Sequence, residues 1–129
     1  MPTEIWPAAI YRTIMRIAKD YGGPLYVMEN GCSFGDEPGP DGRVHDQRRI
    51  DYLQGYIGQV GRALAEGADL RGYFHWSLMD NFEWAFGFKE RFGIVHTDFA
   101  TLMRTIKDSG YWYRDLVKRG EIEYDETLQ

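Results

Sequence analysis

The sequence predicts an α/β fold of parallel βα units, carrying too few strands to close a sheet. Three observations lead there. Helical and strand-like apolar patterns alternate as helix, strand, helix, strand, helix. Parallel strands need crossovers of about that length. The 129 residues are about half of what an eight-unit (β/α)8 barrel requires, so the chain can hold only part of one.

In residues 7–21, Ile10, Ile14, Ile17 and Tyr21 recur at three- and four-residue steps behind Pro7, which suits a first helical turn, and Gly22-Gly23 ends the helix. Leu25-Tyr26-Val27-Met28 is a short apolar run between Pro24 and Asn30-Gly31 and predicts a strand buried on both faces. Residues 31–45 carry Gly35, Pro38, Gly39, Pro40 and Gly42 and predict a long surface loop with a Pro40-Asp41-Gly42 turn. Asp46 is the expected N-cap of the longest helix, whose stripe Ile50, Leu53, Ile57, Val60 and Leu64 runs toward Gly67. Gly55, Gly58 and Gly61 each cost that helix about 1 kcal/mol against alanine, which points to close backbone packing or to a weakened helix. Residues 70–78 predict a second strand, with Tyr73, His75 and Ser77 on one face and Phe74, Trp76 and Leu78 on the other. Gly93-Ile94-Val95-His96 adds a short extended piece. Thr105 and Asp108 match a capping box before a third helix with Trp112, Tyr113, Leu116 and Val117, ended by Gly120. The domain reading is a partial barrel over residues 1–120 and a flexible acidic tail over 121–129.

Composition narrows the function. With 43% hydrophobic and 27% charged residues the chain should pack rather than stay disordered. A net charge of -5 and a pI near 5.1 argue against a nucleic-acid partner, whose binding needs a basic surface. The single Cys32 excludes an intrachain disulfide framework and a cysteine-rich zinc site and points to a reducing compartment. No apolar run approaches the roughly 20 residues of a membrane span, and no signal-peptide core follows Met1. A cytoplasmic protein without a membrane partner is the expectation. Aromatic residues reach 16%, and aromatics serve cores first, then sugar or partner surfaces.

Glu29 directly follows the first apolar run, at the carboxyl end of a strand, where barrel enzymes keep their catalytic groups. Position alone leaves two roles open, a catalytic carboxylate or a strand-end cap paired with an arginine. A second cluster, Trp76-Ser77-Leu78-Met79-Asp80-Asn81-Phe82-Glu83-Trp84, again sets carboxylates and indoles after a strand. An indole face beside a carboxylate suits a polyol, because CH groups stack on the ring while hydroxyls donate to oxygen. An aromatic core edged by a polar loop would show the same residues.

Tyr26-Val27-Met28-Glu29-Asn30-Gly31 resembles the nucleophile motif of glycoside hydrolase family 1, the β-glucosidase family, and residues 76–84 resemble its sugar-binding segment. Further similarity runs through Asp41-Gly42-Arg43-Val44-His45-Asp46, Arg49-Ile50-Asp51-Tyr52-Leu53, Arg91-Phe92-Gly93 and Lys107-Asp108-Ser109, from about Ile5 to Arg119. The resemblance implies the last two βα units of a (β/α)8 barrel, the C-terminal portion of a retaining β-glucosidase. It implies Glu29 as nucleophile, Glu83 and Trp84 as partners of the glycone hydroxyls, Trp76 as stacking platform and Phe92 near the sugar's C6 group. A β-glucoside or short β-linked oligosaccharide is the implied ligand, and two-carboxylate hydrolysis requires no metal and no cofactor.

The family's general acid/base belongs to an upstream Asn-Glu-Pro motif. The lookalike Asp36-Glu37-Pro38 lacks the asparagine and is read as an acidic surface loop. The catalytic pair is therefore incomplete. The alternative function is a truncated, non-catalytic fragment with a residual sugar site or a partner-packing role. A cut barrel exposes strand edges and apolar faces, so the expected partner is a complementary N-terminal barrel segment or a second copy. Met28, Cys32, Phe86 and Ile106 depart from common family residues and bear on aglycone preference. His45, His75 and His96 show no metal-ligand spacing, and Cys32 is read as a packing residue.

Overall fold

The computed structural model describes residues 4–122. Its elements are α1 (Ala8–Tyr21), β1 (Leu25–Asn30), α2 (Gln47–Ala65), β2 (Leu70–His75), a 3-10 turn at Trp84–Phe86, β3 (Val95–Thr97), β4 (Arg104–Ile106) and α3 (Asp108–Arg119). β1 and β2 pair in parallel with α2 as their crossover, as the alternating pattern predicts. β3 and β4 form a separate antiparallel hairpin. β4 has no sequence signal, since Arg104-Thr105-Ile106 is too short to show a period. From residue 123 the expected tail lies outside the described residues. No helix among the described residues is long and apolar enough to cross a membrane.

α2 is the centre of the packing. Val60 and Ala63 meet Ile14 of α1, Ala68, and Leu25, Val27 and Leu70 of the sheet. Leu53 and Ile57 pack with Cys32, Tyr52 and Leu116 of α3. Burying one such Leu or Ile fully contributes about 2 kcal/mol, and α2 does so on two sides. Gly55 and Gly58 are buried, and a Cβ on Gly61 would come within 3.3 Å of Ile122 Cγ2. The glycines thus mark close packing. The Asp41-Gly42 turn also forms as expected, with Gly42 donating to Gly39 and holding φ at 75°.

Several local expectations are displaced by tertiary contacts. The inner stripe of α1 is Ile10, Tyr11, Ile14, Met15 and Ala18, so Ile10 and Ile14 face inward as predicted, while Ile17 and Tyr21 are exposed. At about 100° per residue the predicted 10–14–17–21 series keeps one line along the helix, but the face that α2 covers is centred about 60° further round, so Ile10 and Ile14 fall within it and Ile17 and Tyr21 do not. Asp46 makes no side-chain cap on α2. Its buried carboxylate instead accepts from Ser109 N at 2.8 Å, from the Ser109 hydroxyl and from Arg49 Nε at 3.0 Å, capping the first turn of α3. The Thr105–Asp108 capping box does not form, because Thr105 pairs with His96 in the hairpin and α3 starts behind Lys107. Leu64 at the end of the α2 stripe is exposed.

β1 is not buried on both faces. Leu25 and Val27 are half-buried against the helices, whereas Tyr26 and Met28 are 52% and 66% exposed. β2 shows the predicted alternation, with Tyr73 and His75 inward and Phe74 outward, followed beyond the strand by exposed Trp76 and Leu78 and buried Ser77. β2 ends at His75 rather than residue 78. One face of the sheet therefore packs on helices, and among the described residues nothing covers the other.

The inward face carries a pH response. Burial, reinforced by the Arg49 charge, pushes the His75 imidazole from 6.5 down to about 4. As pH falls through 6.5 the unfolded chain takes up a proton that folded His75 refuses, so stability is lost down to about pH 4, by up to about 3 kcal/mol. His45 has the opposite sign: hydrogen bonds to Asp41 and Asp108 raise its value, so its contribution is full below 6.5 and lost as pH rises through the folded value. His75→Gln should flatten the fall of the thermal midpoint between pH 6.5 and 4. A parental slope in that variant would assign the acid sensitivity to other groups.

Candidate active site

Because β1 and β2 run in parallel, their carboxyl ends emerge at one edge of the sheet. Glu29 lies one residue before the end of β1 and is exposed. Among the described residues no arginine and no backbone amide pairs with its carboxylate. The next two residues lock onto the neighbouring strand. Trp76 N donates to Asn30 O at 2.9 Å, and Gly31 lies so close to Trp76 O that a Cβ there would sit 1.8 Å from it. Only glycine fits position 31, which explains the Asn30-Gly31 pair physically.

Beyond β2 the chain folds back on itself. Ser77 N donates to Phe92 O at 3.2 Å, Ile94 N to Ser77 O at 3.1 Å and Val95 N to Leu78 O at 2.9 Å. The Trp76–Ser77 peptide is cis. This ladder lifts residues 81–88 into a projecting turn closed by Glu83 N to Gly87 O at 2.7 Å and Gly87 N to Trp84 O at 3.1 Å. Trp84 holds a φ of 38° there and is 84% exposed. A left-handed φ on a bulky residue costs of order 1–3 kcal/mol and is retained where surrounding contacts over-determine it. Here the turn bonds do so, together with a chain of rings under the tip, Phe82 on Phe88 at 5.4 Å and Phe88 on Phe99 at 4.5 Å.

The fold thus sets Glu29 and Trp76 at one edge of the sheet, and the Glu83–Trp84 turn is carried on the segment that leaves this edge. Trp76 lines a hollow with Ser77, Asp80, Asn81, Thr97 and Arg104. Phe92 lines a different one, with Cys32, Phe34, Arg48, Tyr52 and Tyr56, and its carbonyl meets the two neighbours of Trp76, Ser77 N and His75 Nε2 at 3.3 Å.

The residues beneath this edge escape a sequence reading. Arg49, wholly buried, donates from Nε to Asp46, from Nη1 to Cys32 O and to Phe92 O at 3.3 Å, and from Nη2 to Asp36 and to Arg91 O at 2.9 Å. Lys107 Nζ, also buried, meets Asp36 at 2.9 Å and Asp80 at 3.1 Å, and Arg91 Nη1 meets Asp80 at 3.1 Å. Asp36 is therefore no surface acid, because two cations draw it inward; Glu37 beside it remains exposed and pairs with Arg91 and His96. The Asp46–Arg49 spacing of three was the one local signal for this network. Burial pushes the Asp46 carboxyl up, against the bonds from Ser109 and the Arg49 charge. Burial also pushes the Cys32 thiol up to about 12, which leaves it an inert packing group.

The profile of Glycosyl hydrolase family 1 matches residues 1–122. Beta-glucosidase A of Thermotoga maritima is 52% identical over 124 residues, covering 95% of this chain and 28% of that protein. Beta-glucosidase A of Acetivibrio thermocellus is 50% identical over 115 residues, or 88% of this chain and 26% of that one. A 6-phospho-beta-galactosidase of Staphylococcus epidermidis is 41% identical over 122 residues, 92% of this chain and 26% of that one. The solved family 1 β-glucosidase from Thermotoga maritima in complex with isofagomine lactam superposes with a TM-score of 0.91 at 51% identity, over 93% of this chain and 28% of that chain. The chain spans little more than a quarter of the length of these relatives, and its fold matches part of their (β/α)8 barrel. With sequence and backbone agreeing over nearly all of its residues, the chain belongs to glycosyl hydrolase family 1.

Proposed function

We propose that this chain is the nucleophile-bearing C-terminal part of a retaining β-glucosidase that acts on terminal, non-phosphorylated β-D-glucosides. One observation carries the reading: Glu29 lies one residue before the end of one strand and the Trp76 to Trp84 segment follows its parallel neighbour, so a carboxylate and an indole-bearing segment leave the sheet at one edge. Relatives named beta-glucosidase at 50–52% identity support the substrate class. In this mechanism Glu29 attacks the anomeric carbon while a general acid protonates the departing oxygen, and the glycosyl-enzyme forms. Water, deprotonated by the same acid/base group, then releases the sugar with retained configuration. Glu83 accepts from glycone hydroxyls alongside Trp84, Trp76 stacks on the ring, and Phe92 lies toward C6.

The acid/base must stand about 5 to 5.5 Å from the nucleophile, and it belongs to a segment other than this one. The bare sheet face with Tyr26, Met28, Phe74 and Leu78 supports a complementary N-terminal barrel segment as partner, with self-association where that segment is lacking. For the chain by itself the same face favours the non-catalytic reading. Without an acid/base, a contribution of roughly 100- to 10,000-fold is missing. The purified chain should therefore leave aryl β-glucosides unhydrolysed until the complementary segment is supplied, and robust turnover by the chain alone, abolished in Glu29→Gln, would contradict this.

In the complete enzyme Glu29→Gly should abolish turnover, and azide or formate should restore cleavage of an activated aryl glucoside by filling the vacated space. Azide should yield the glycosyl azide of opposite anomeric configuration. Full activity without added anion would move the nucleophile elsewhere.

Substrate phosphate is the sharpest discriminator, because the 41% identical relative is a 6-phospho-beta-galactosidase. The Glu83 carboxylate would repel a phosphate in the same pocket. Like charges about 4 Å apart at an effective dielectric near 20 cost about 4 kcal/mol, several hundredfold or more in specificity. The ratio of kcat/KM for an aryl β-glucoside over its 6-phosphate should be large in the parent and fall in Glu83→Ser, with β-galactosides and β-fucosides as secondary substrates. Equal use of both substrates by the parent would overturn the assignment.

A further inference from the structure

We infer that Tyr73 is a positioning residue for Glu29: its hydroxyl, bonded to Asn30, holds the β-bulge that turns Glu29 onto the open face of the sheet. The inference rests on the reading of Glu29 as nucleophile and extends it to a residue on the neighbouring strand. In a regular strand Glu29 would share the inward face with Leu25 and Val27, because side chains alternate. It does not. Tyr26, Met28 and Glu29 are exposed while Val27 and Asn30 are half-buried, so the alternation slips between Met28 and Glu29.

The pairing register contains the cause. Val27 pairs with Tyr73 and Asn30 with His75, three steps on β1 against two on β2, which is a bulge. Tyr73 spans it. Its backbone stands opposite Val27 before the bulge, and its hydroxyl donates to Asn30 Oδ1 after it at 2.8 Å. That bond requires the Asn30 side chain to face inward, and with Asn30 inward its neighbour Glu29 faces outward. Burial raises the Tyr73 phenol well above 10, so the hydroxyl stays protonated as the donor. Tyr52, 7% exposed and stacked on Tyr56 at 4.2 Å, adds a bond from its hydroxyl to Gly31 O at 3.0 Å. A register slip would return Glu29 toward the core, so a single hydroxyl on the neighbouring strand sets which face the carboxylate uses.

Tyr73→Phe keeps the ring and its packing and removes only the donor. In the complete enzyme it should lower kcat for an aryl β-glucoside about tenfold, with KM within about twofold, since a displaced nucleophile affects the transition state more than binding. In a Glu29→Gly background, where azide replaces the carboxylate, the same substitution should leave the azide-rescued rate unchanged. A merely structural role would lower both rates alike, and that result overturns the inference, as does an unchanged kcat in Tyr73→Phe. Asn30→Ala removes the bond from its other end and should reproduce the loss without adding to it; additive losses would also count against the inference. If Glu29→Gly alone stays active without azide, the nucleophile reading fails and the positioning role falls with it, an outcome visible before Tyr73 is altered.

Discussion

The buried Arg49 guanidinium is the interaction on which the rest of this structure depends. It reaches the carbonyl of Cys32 in the loop after β1 and the carbonyls of Arg91 and Phe92 in the segment after β2, while Asp46 anchors it to its own helix. One planar donor set thus ties both loops to α2. Lys107 and Arg91 extend the network, so that three cations meet Asp36, Asp46 and Asp80. Such clusters gain little net stability over an apolar core, because desolvation offsets attraction. Losing one partner is another matter and costs about 3–5 kcal/mol, since a charge is then stranded. The network consequently admits one arrangement of the two loops and penalises the rest.

That arrangement is what the site needs. Glu29 lies in β1 and the Glu83–Trp84 turn in the segment beyond β2; parallel pairing brings the two strand ends to one edge but leaves the segments after them free. Asp80 restrains the second loop by accepting from Gly93 N at 2.9 Å and from Arg91 and Lys107. The charged network joins the loops that follow the two strands, while the face of the sheet turned away from the helices exposes Tyr26, Met28 and Phe74. This division matches a piece of a barrel, in which one sheet face meets helices and the other meets the remaining strands' side chains.

Local pattern served well where one neighbour decided the outcome. The helices, the parallel pair, the alternation in β2 and the Gly42 turn follow from periodicity and from residues with special backbone freedom. It failed wherever a distant group competed. Asp46 is a good N-cap by type, yet its carboxylate is drawn to Ser109, 63 positions away, where it satisfies amide, hydroxyl and guanidinium together. Asp36 reads as a solvated acid in a Pro- and Gly-rich loop, and only Lys107, 71 positions away, and Arg49 make it a buried one. Tyr26 and Met28 read as core, because an apolar run states an affinity for burial without stating what covers it.

By itself the sequence determined the three helices, the two parallel strands, the family motifs and a carboxylate near the end of the first strand, all properties of residues within a few positions of one another. Only the tertiary structure decided which face Glu29 takes. Side-chain alternation assigns Glu29 inward, and the bulge that reverses this exists through pairing with β2 and the Tyr73–Asn30 bond across 43 positions. The physical reason is that a strand's phase is set by its partner's register, and no periodicity within six residues can contain the register of a strand that has yet to pair.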